Sequence, residues 1–193
     1  MTYEKIESIV KKMLSEKRFR HTLGCAETAV HLARRWGADE QKALRAALLH
    51  DITKEMPYEE QLGIVENAKL CLSDIEKSRN VIHAFSGAVV AHERFGEDDD
   101  VCRAVMYHTT ACKDMKMLDR IIWLSDLTEK NRDFPGVEEI RKTAETSLAG
   151  ALILGYDRTI EFLIERGSLI CENIILARNS ELLRLESERG NCK

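Results

Sequence analysis

Four histidines and two aspartates stand out because each sits on a helical face that is otherwise apolar: His21, His50, Asp51, His83, His108 and Asp126. At 100° per residue, positions three, four, seven and eight apart share one face of a helix. His21 then lies with Cys25, Thr28, Ala29 and Leu32, and the adjacent pair His50-Asp51 follows Ala43, Ala46 and Ala47. His83 opens HAFSGAVVAHERF with Gly87, Ala88, Ala91 and Phe95 roughly along its face. His108 closes the stripe Val101, Ala104, Val105, and Asp126 closes Leu118, Ile121, Ile122, Ser125. A single core histidine needs only a hydrogen-bond partner. Six such groups pose a harder problem, because a desolvated carboxylate is costly unless it is paired or bound to a cation, and neutral imidazoles are ligands for that same cation. A shared metal site accommodates all six.

Mixed imidazole and carboxylate donors suit iron, manganese, cobalt or zinc. The six cysteines, Cys25, Cys71, Cys102, Cys112, Cys171 and Cys192, are scattered without a C-x-x-C pair, so neither a disulfide framework nor a structural zinc site is expected and most read as small core residues. A catalytic metal takes three or four protein ligands and keeps an open position, so six donors point to two metals. Such a centre, about 3.5–4 Å across, suits in-line displacement at phosphorus and therefore hydrolysis of a phosphate ester or anhydride.

The elements that would position these residues are helices. Two prolines and ten glycines punctuate the 193 residues sparsely, and Ala, Leu, Glu, Lys and Arg recur at helical spacing, which makes the fold class all-α. The pattern predicts helices at about 2–16, 20–36, 39–52, 58–66, 72–78, 82–95, 98–109, 115–130, 136–155 and 157–180. Breaks are expected at Gly37, Met56-Pro57, Gly96 before the acidic EDDD, and Phe134-Pro135-Gly136, and the polar tail from about 181 is expected to fray. No repeat or linker divides the chain, so residues 1–193 read as one domain with its core at about 15–178. The N-terminal stretch mixes charge through every turn, and no apolar run approaches the roughly 18–20 residues that span a bilayer, so a cytoplasmic protein without a membrane partner is expected. A net charge of −4, with basic residues interspersed among acidic ones, argues against a nucleic-acid partner and leaves a small ligand as the simpler expectation.

In this helical context the ordered set His21, His50-Asp51, His83, His108 and Asp126 resembles the HD superfamily of metal-dependent phosphohydrolases. RFRHTLGCAETAVHLARRWG, AALLHDITKE, HAFSGAVVAHERFG, AVMYHTT and IIWLSDLTEKNRDFPGVEEIR, in this order, resemble the YqeK family of symmetrical bis(5′-nucleosyl)-tetraphosphate hydrolases over about residues 15–178. The resemblance implies an HD-domain helical bundle with a dinuclear iron centre that cuts diadenosine tetraphosphate into two ADP. It implies that His21, His50, Asp51 and Asp126 bind one metal, that His83 and His108 hold the second, and that Asp51 bridges them. His50, Asp51 and Lys54 would be catalytic. Arg18, Lys54, Thr109 and Arg132, together with His83 and His108, would meet the substrate, and an arginine fork or a lysine point charge suits phosphate oxygens. The same residues also have plainer readings: solvated charges at Arg18 and Lys54, a helix-end hydrogen bonder at Thr109, and a partner for Glu129 at Arg132.

The chain departs from the family where A-D-Y-I-E-P is common, reading Ser125-Asp126-Leu127-Thr128-Glu129-Lys130, and where a glycine often follows His108-Thr109, reading Thr110-Ala111-Cys112-Lys113. These changes bear on the nucleotide pocket and leave the six donors intact. Cys112 is expected to be incidental, and His31 and His92 to be surface or supporting groups. Two other functions remain open at this point, an HD-type nucleotidase acting on mononucleotides and a nucleotide-binding sensor without turnover. Pairing of two copies as a homodimer is also left open.

Overall fold

The computed structural model describes residues 1–190, with side chains described through 187, so the expectation for Cys192 lies outside the described residues. Ten helices and no strand are present among them: α1 (Tyr3–Met13), α2 (Glu16–Trp36), α3 (Glu40–Leu49), α4 (Tyr58–Asn67), α5 (Ile82–Phe95), α6 (Asp99–Tyr107), α7 (Met117–Thr128), α8 (Val137–Ala144), α9 (Leu148–Glu165) and α10 (Glu172–Gly190). The all-α expectation holds. Starts are set by side chains that accept from free backbone N–H groups: Ser15 from Arg18, Asp39 from Gln41 and Lys42, Asp98 from Val101, and Ser147 from Gly150.

Helix α3 lies at the centre and packs against α1, α2, α5, α6 and α7. Helices α2 and α3 both bury small residues, Cys25, Ala26, Ala29 and Ala33 on α2 and the fully buried Ala43, Ala46 and Ala47 on α3. Short side chains let two helices pack closely while still excluding water. The bidentate pair of Arg45 with the buried Glu97, at 2.5 and 2.8 Å, ties α3 to the turn between α5 and α6. Helices α8, α9 and α10 follow in sequence as packed neighbours, with α9 joined to α7 where Trp123 meets Tyr156 at 4.3 Å between ring centroids.

Three of the expected elements differ. Residues 72–78 form turns in place of a helix: Ser73 and Glu76 bond each other as at a helix start, but the apolar stripe needed to extend the turn is missing. The stretch 136–155 is divided at Ser147, whose extended backbone and hydroxyl start a new helix. The stretch 157–180 is divided by Gly167, which takes φ +61° and ends α9 with Ser168 N–H donating to the Leu163 carbonyl. Among the described residues of the tail, 181–190 continue α10. Glu181 there is buried and accepts from Arg120 Nη2 at 2.7 Å, and Arg184 donates to the Met115 carbonyl.

Candidate metal centre

Three of the six donors, His50, Asp51 and His108, sit just past helix ends. α3 stops at Leu49 and α6 at Tyr107, each shorter than its sequence pattern, so His50 and His108 occupy the C-cap positions. His50 Nδ1 lies 2.6 Å from the Ala47 carbonyl and His108 Nδ1 2.7 Å from the Val105 carbonyl. A carbonyl can only accept, so both rings carry their proton on Nδ1 and, when neutral, present a bare Nε2 lone pair on the other side. His83 comes from the first turn of α5, His21 from the second turn of α2, and Asp126 from the last turn of α7.

The six side chains converge. Asp51 lies between two groups, its Oδ2 being 3.3 Å from His50 Nε2 and 3.8 Å from His21 Nε2, while its Oδ1 is 3.3 Å from His83 Nε2 and 3.7 Å from His108 Nε2. His83 and His108 face each other, Nε2 to Nε2, at 3.2 Å. Asp126 Oδ1 closes the other side at 3.0 Å from His21 Nε2.

This donor set fits bound cations. His50 Nε2 is buried without a hydrogen-bond partner, although Asp51 Oδ2 is only 3.3 Å away, a placement that is costly unless a proton or a metal cation lies between the nitrogen and the carboxylate. The electrostatics are split across the cluster. Burial opposes charge on His50, yet the Asp51 carboxylate holds its pKa well above the ordinary value. Burial likewise opposes charge on His21, and hydrogen bonds to Asp126 and Cys25 outweigh it, raising the pKa to about 9. His83 is pushed well below its ordinary value by burial, then by His108 and Lys54. Asp51 and Asp126 stay well below the usual carboxylate range despite burial, Asp51 through His50 and Asp126 through His21 and Arg132. Ionised carboxylates among crowded imidazoles are the arrangement a divalent ion neutralises.

The other expected residues are close by in unequal ways. Arg18 Nη1 bonds Asp51 Oδ2 at 2.9 Å and stays partly exposed. Lys54 Nζ is 3.2 Å from both ring nitrogens of His83, and burial lowers its pKa against the pull of Asp51. Thr109 Oγ1 lies 3.1 Å from His108 Nε2 and 3.3 Å from His83 Nε2. Arg132 pairs with Asp126, at 2.5 Å to its carboxylate and 2.8 Å to its carbonyl, in place of the pairing with Glu129 that sequence allows. His31 pairs with Glu145 at the surface, and His92 lies near the Glu97 carbonyl, so neither joins the cluster. Cys112 lines a separate cavity of about 390 Å³ with Phe85, Arg103 and Tyr107, and burial pushes its thiol up to about 11.

Three residues escaped the sequence reading. Cys25 is a buried core residue as expected, and in addition its Sγ lies 3.4 Å from His21 Nε2. Its i, i+4 spacing from His21 was the available signal. Buried Glu129 accepts at 3.2 Å from His21 Nδ1 and fills the space where a Cβ on Gly24 would fall, 2.2 Å from its Oε2. Arg141 ties the loop after α7 by donating to the carbonyls of Thr128, Glu129 and Arg132 at 2.7–2.9 Å. The segment from Ser125 to Arg141 is thus closed on itself, and it carries Asp126, Glu129 and Arg132 as a unit.

Comparison with known proteins agrees with this geometry. The HD domain family matches residues 18–152. A Halalkalibacterium halodurans protein named bis(5′-nucleosyl)-tetraphosphatase, symmetrical, is 40% identical over 185 residues, 95% of this chain and 98% of that one. A Bacillus subtilis protein of the same name is 37% identical over 180 residues, 93% of this chain and 97% of the other. A crystal structure of a Clostridium acetobutylicum protein, described as a predicted HD superfamily hydrolase involved in NAD metabolism, superposes with a TM-score of 0.91 at 37% identity, covering 95% of this chain and 98% of its own.

Proposed function

This chain belongs to the HD-domain family and, within it, to the YqeK type of symmetrical bis(5′-nucleosyl)-tetraphosphatase, and from that premise we propose that it hydrolyses dinucleoside tetraphosphates, cutting diadenosine tetraphosphate into two ADP. The observation that carries this reading is Asp51, whose two oxygens face two separate groups of imidazoles. In it, His21, His50, Asp51 and Asp126 hold one transition-metal ion, His83 and His108 hold a second, and Asp51 is shared. Iron is the first choice, with manganese, cobalt and zinc as alternatives that the same donors suit. When bound, such a pair supplies Lewis acidity and makes water nucleophilic near neutral pH.

The chain's own residues do the rest. The C-cap bonds of His50 and His108 fix both rings with Nε2 turned to the cluster. Glu129 orients His21, and Arg132 orients Asp126. Arg18 and Lys54 place two cationic groups beside the cluster, which attract a tetraphosphate and offset its charge as the bond breaks. Thr109, between the rings of His83 and His108, offers a hydroxyl to the same substrate. Catalysis rests on His50, Asp51 and Lys54.

No helix among the described residues is long and apolar enough to cross a membrane. A cytoplasmic enzyme that binds nucleotides, without nucleic acid or membrane, completes the reading, and the whole chain serves as one catalytic domain with or without pairing as a homodimer.

Hydrolysis of diadenosine tetraphosphate in oxygen-18 water tests it. Water attacking an inner phosphorus breaks the bond to the oxygen joining the two inner phosphates, so the products are two ADP with label in one of each pair. AMP plus ATP would refute symmetrical cleavage. Hydrolysis confined to mononucleotides would favour a nucleotidase, and nucleotide binding without turnover would favour a sensor.

A further inference from the structure

The two halves of the cluster differ in donor chemistry. His21, Cys25, His50 and Asp126 offer one atom each, all within 4.8 Å of one another, whereas the other compact group, His50, Asp51 and His108, offers only nitrogen and oxygen. Cys25 is almost fully buried, one helical turn along α2 from His21, and its sulfur lies 3.4 Å from His21 Nε2. Two independent features mark this spot as one for a cation. His50 Nε2, fully buried and without a hydrogen-bond partner, belongs to the same four-residue group. His21 gives its Nδ1 side to the Glu129 carboxylate, which accepts only, so its Nε2 is the nitrogen that faces Asp126 Oδ1 at 3.0 Å and the sulfur, donating to that carboxylate when the ring is charged and offering its lone pair to a cation in the proton's place.

We propose that Cys25 is a ligand of the metal held by His21, His50 and Asp126, so that one position of the pair has nitrogen, oxygen and sulfur donors and the other nitrogen and oxygen alone. The inference rests on the metal-centre reading above. On binding, the thiol proton leaves to solvent and the thiolate joins the metal. A thiolate makes that position the softer of the two and biases it toward iron(II), cobalt or zinc over manganese or magnesium. The competing account is that the thiol only hydrogen-bonds His21.

Cobalt(II) separates the accounts without reference to turnover. The full-length protein, stripped of metal and reloaded with cobalt(II), is expected to show both visible d–d bands and a near-ultraviolet sulfur-to-cobalt charge-transfer band. Cys25→Ser and Cys25→Ala should each lose the charge-transfer band and keep visible d–d bands, with helical circular dichroism unchanged. In the zinc-loaded protein, X-ray absorption should show a sulfur shell at about 2.3 Å beside nitrogen and oxygen near 2.0–2.1 Å, and the shell should vanish in both variants. Visible bands with no charge-transfer band in the parent protein, or a charge-transfer band that survives both substitutions, would overturn the assignment of Cys25 while sparing the metal centre. Failure to bind cobalt or zinc at all would overturn the metal centre and Cys25 with it.

Discussion

Asp51→Ala is expected to lower turnover of diadenosine tetraphosphate by about 10³-fold or more, equivalent to roughly 4 kcal/mol of lost transition-state stabilisation. Its two oxygens lie within 3.3–3.8 Å of four different rings, two on each side of the cluster. Removing it separates the two halves and leaves Arg18 without its partner. His50→Ala should cost a similar amount, since His50 contributes to both compact donor groups. Helical circular dichroism should be retained in either variant, because both residues lie beyond the end of α3. Steady-state kinetics and metal content measured on the same preparations check the expectation, and turnover within about tenfold of the parent in either variant would remove the proposed site.

Arg18→Ala and Lys54→Ala should each weaken use of the substrate by about 10- to 100-fold in kcat/KM, the worth of one charge-assisted hydrogen bond to phosphate, with metal content unchanged. Neither residue is among the expected donors, yet Arg18 touches Asp51 and Lys54 touches His83. Arg18 is one-third exposed, which leaves part of its fork free to meet an incoming oxygen. Salt should weaken the substrate's binding in the parent protein more than in either variant. Parent-like kinetics in both variants would return Arg18 and Lys54 to the role of solvated charges, and loss of metal would recast them as supports of the ligands.

The parts of this molecule that were legible in the sequence are those where a single stripe decides the outcome. Helices α2, α5 and α7 follow apolar spacing, and His21, His83 and Asp126 interrupt those stripes visibly. His50 and His108 were placed in the site although the pattern carried their helices too far. Each ring bonds a carbonyl three residues back, which a periodicity cannot express. Partners distant in sequence were not legible. The anchoring of Glu181 depends on Arg120 61 residues away, and Glu129 was missed because its role depends on Gly24 and His21 on another helix. Cys25 lies on the expected face and in the core, and what composition does not express is the contact of its sulfur with His21.

The most direct test of the central claim is elemental analysis of protein purified anaerobically from its native metal supply, paired with activity before and after treatment with a strong chelator. The account predicts about two transition-metal ions per chain, loss of hydrolysis as they are removed, and its return on reloading. Protein that contains no transition metal and hydrolyses diadenosine tetraphosphate at full rate in the chelator would contradict it.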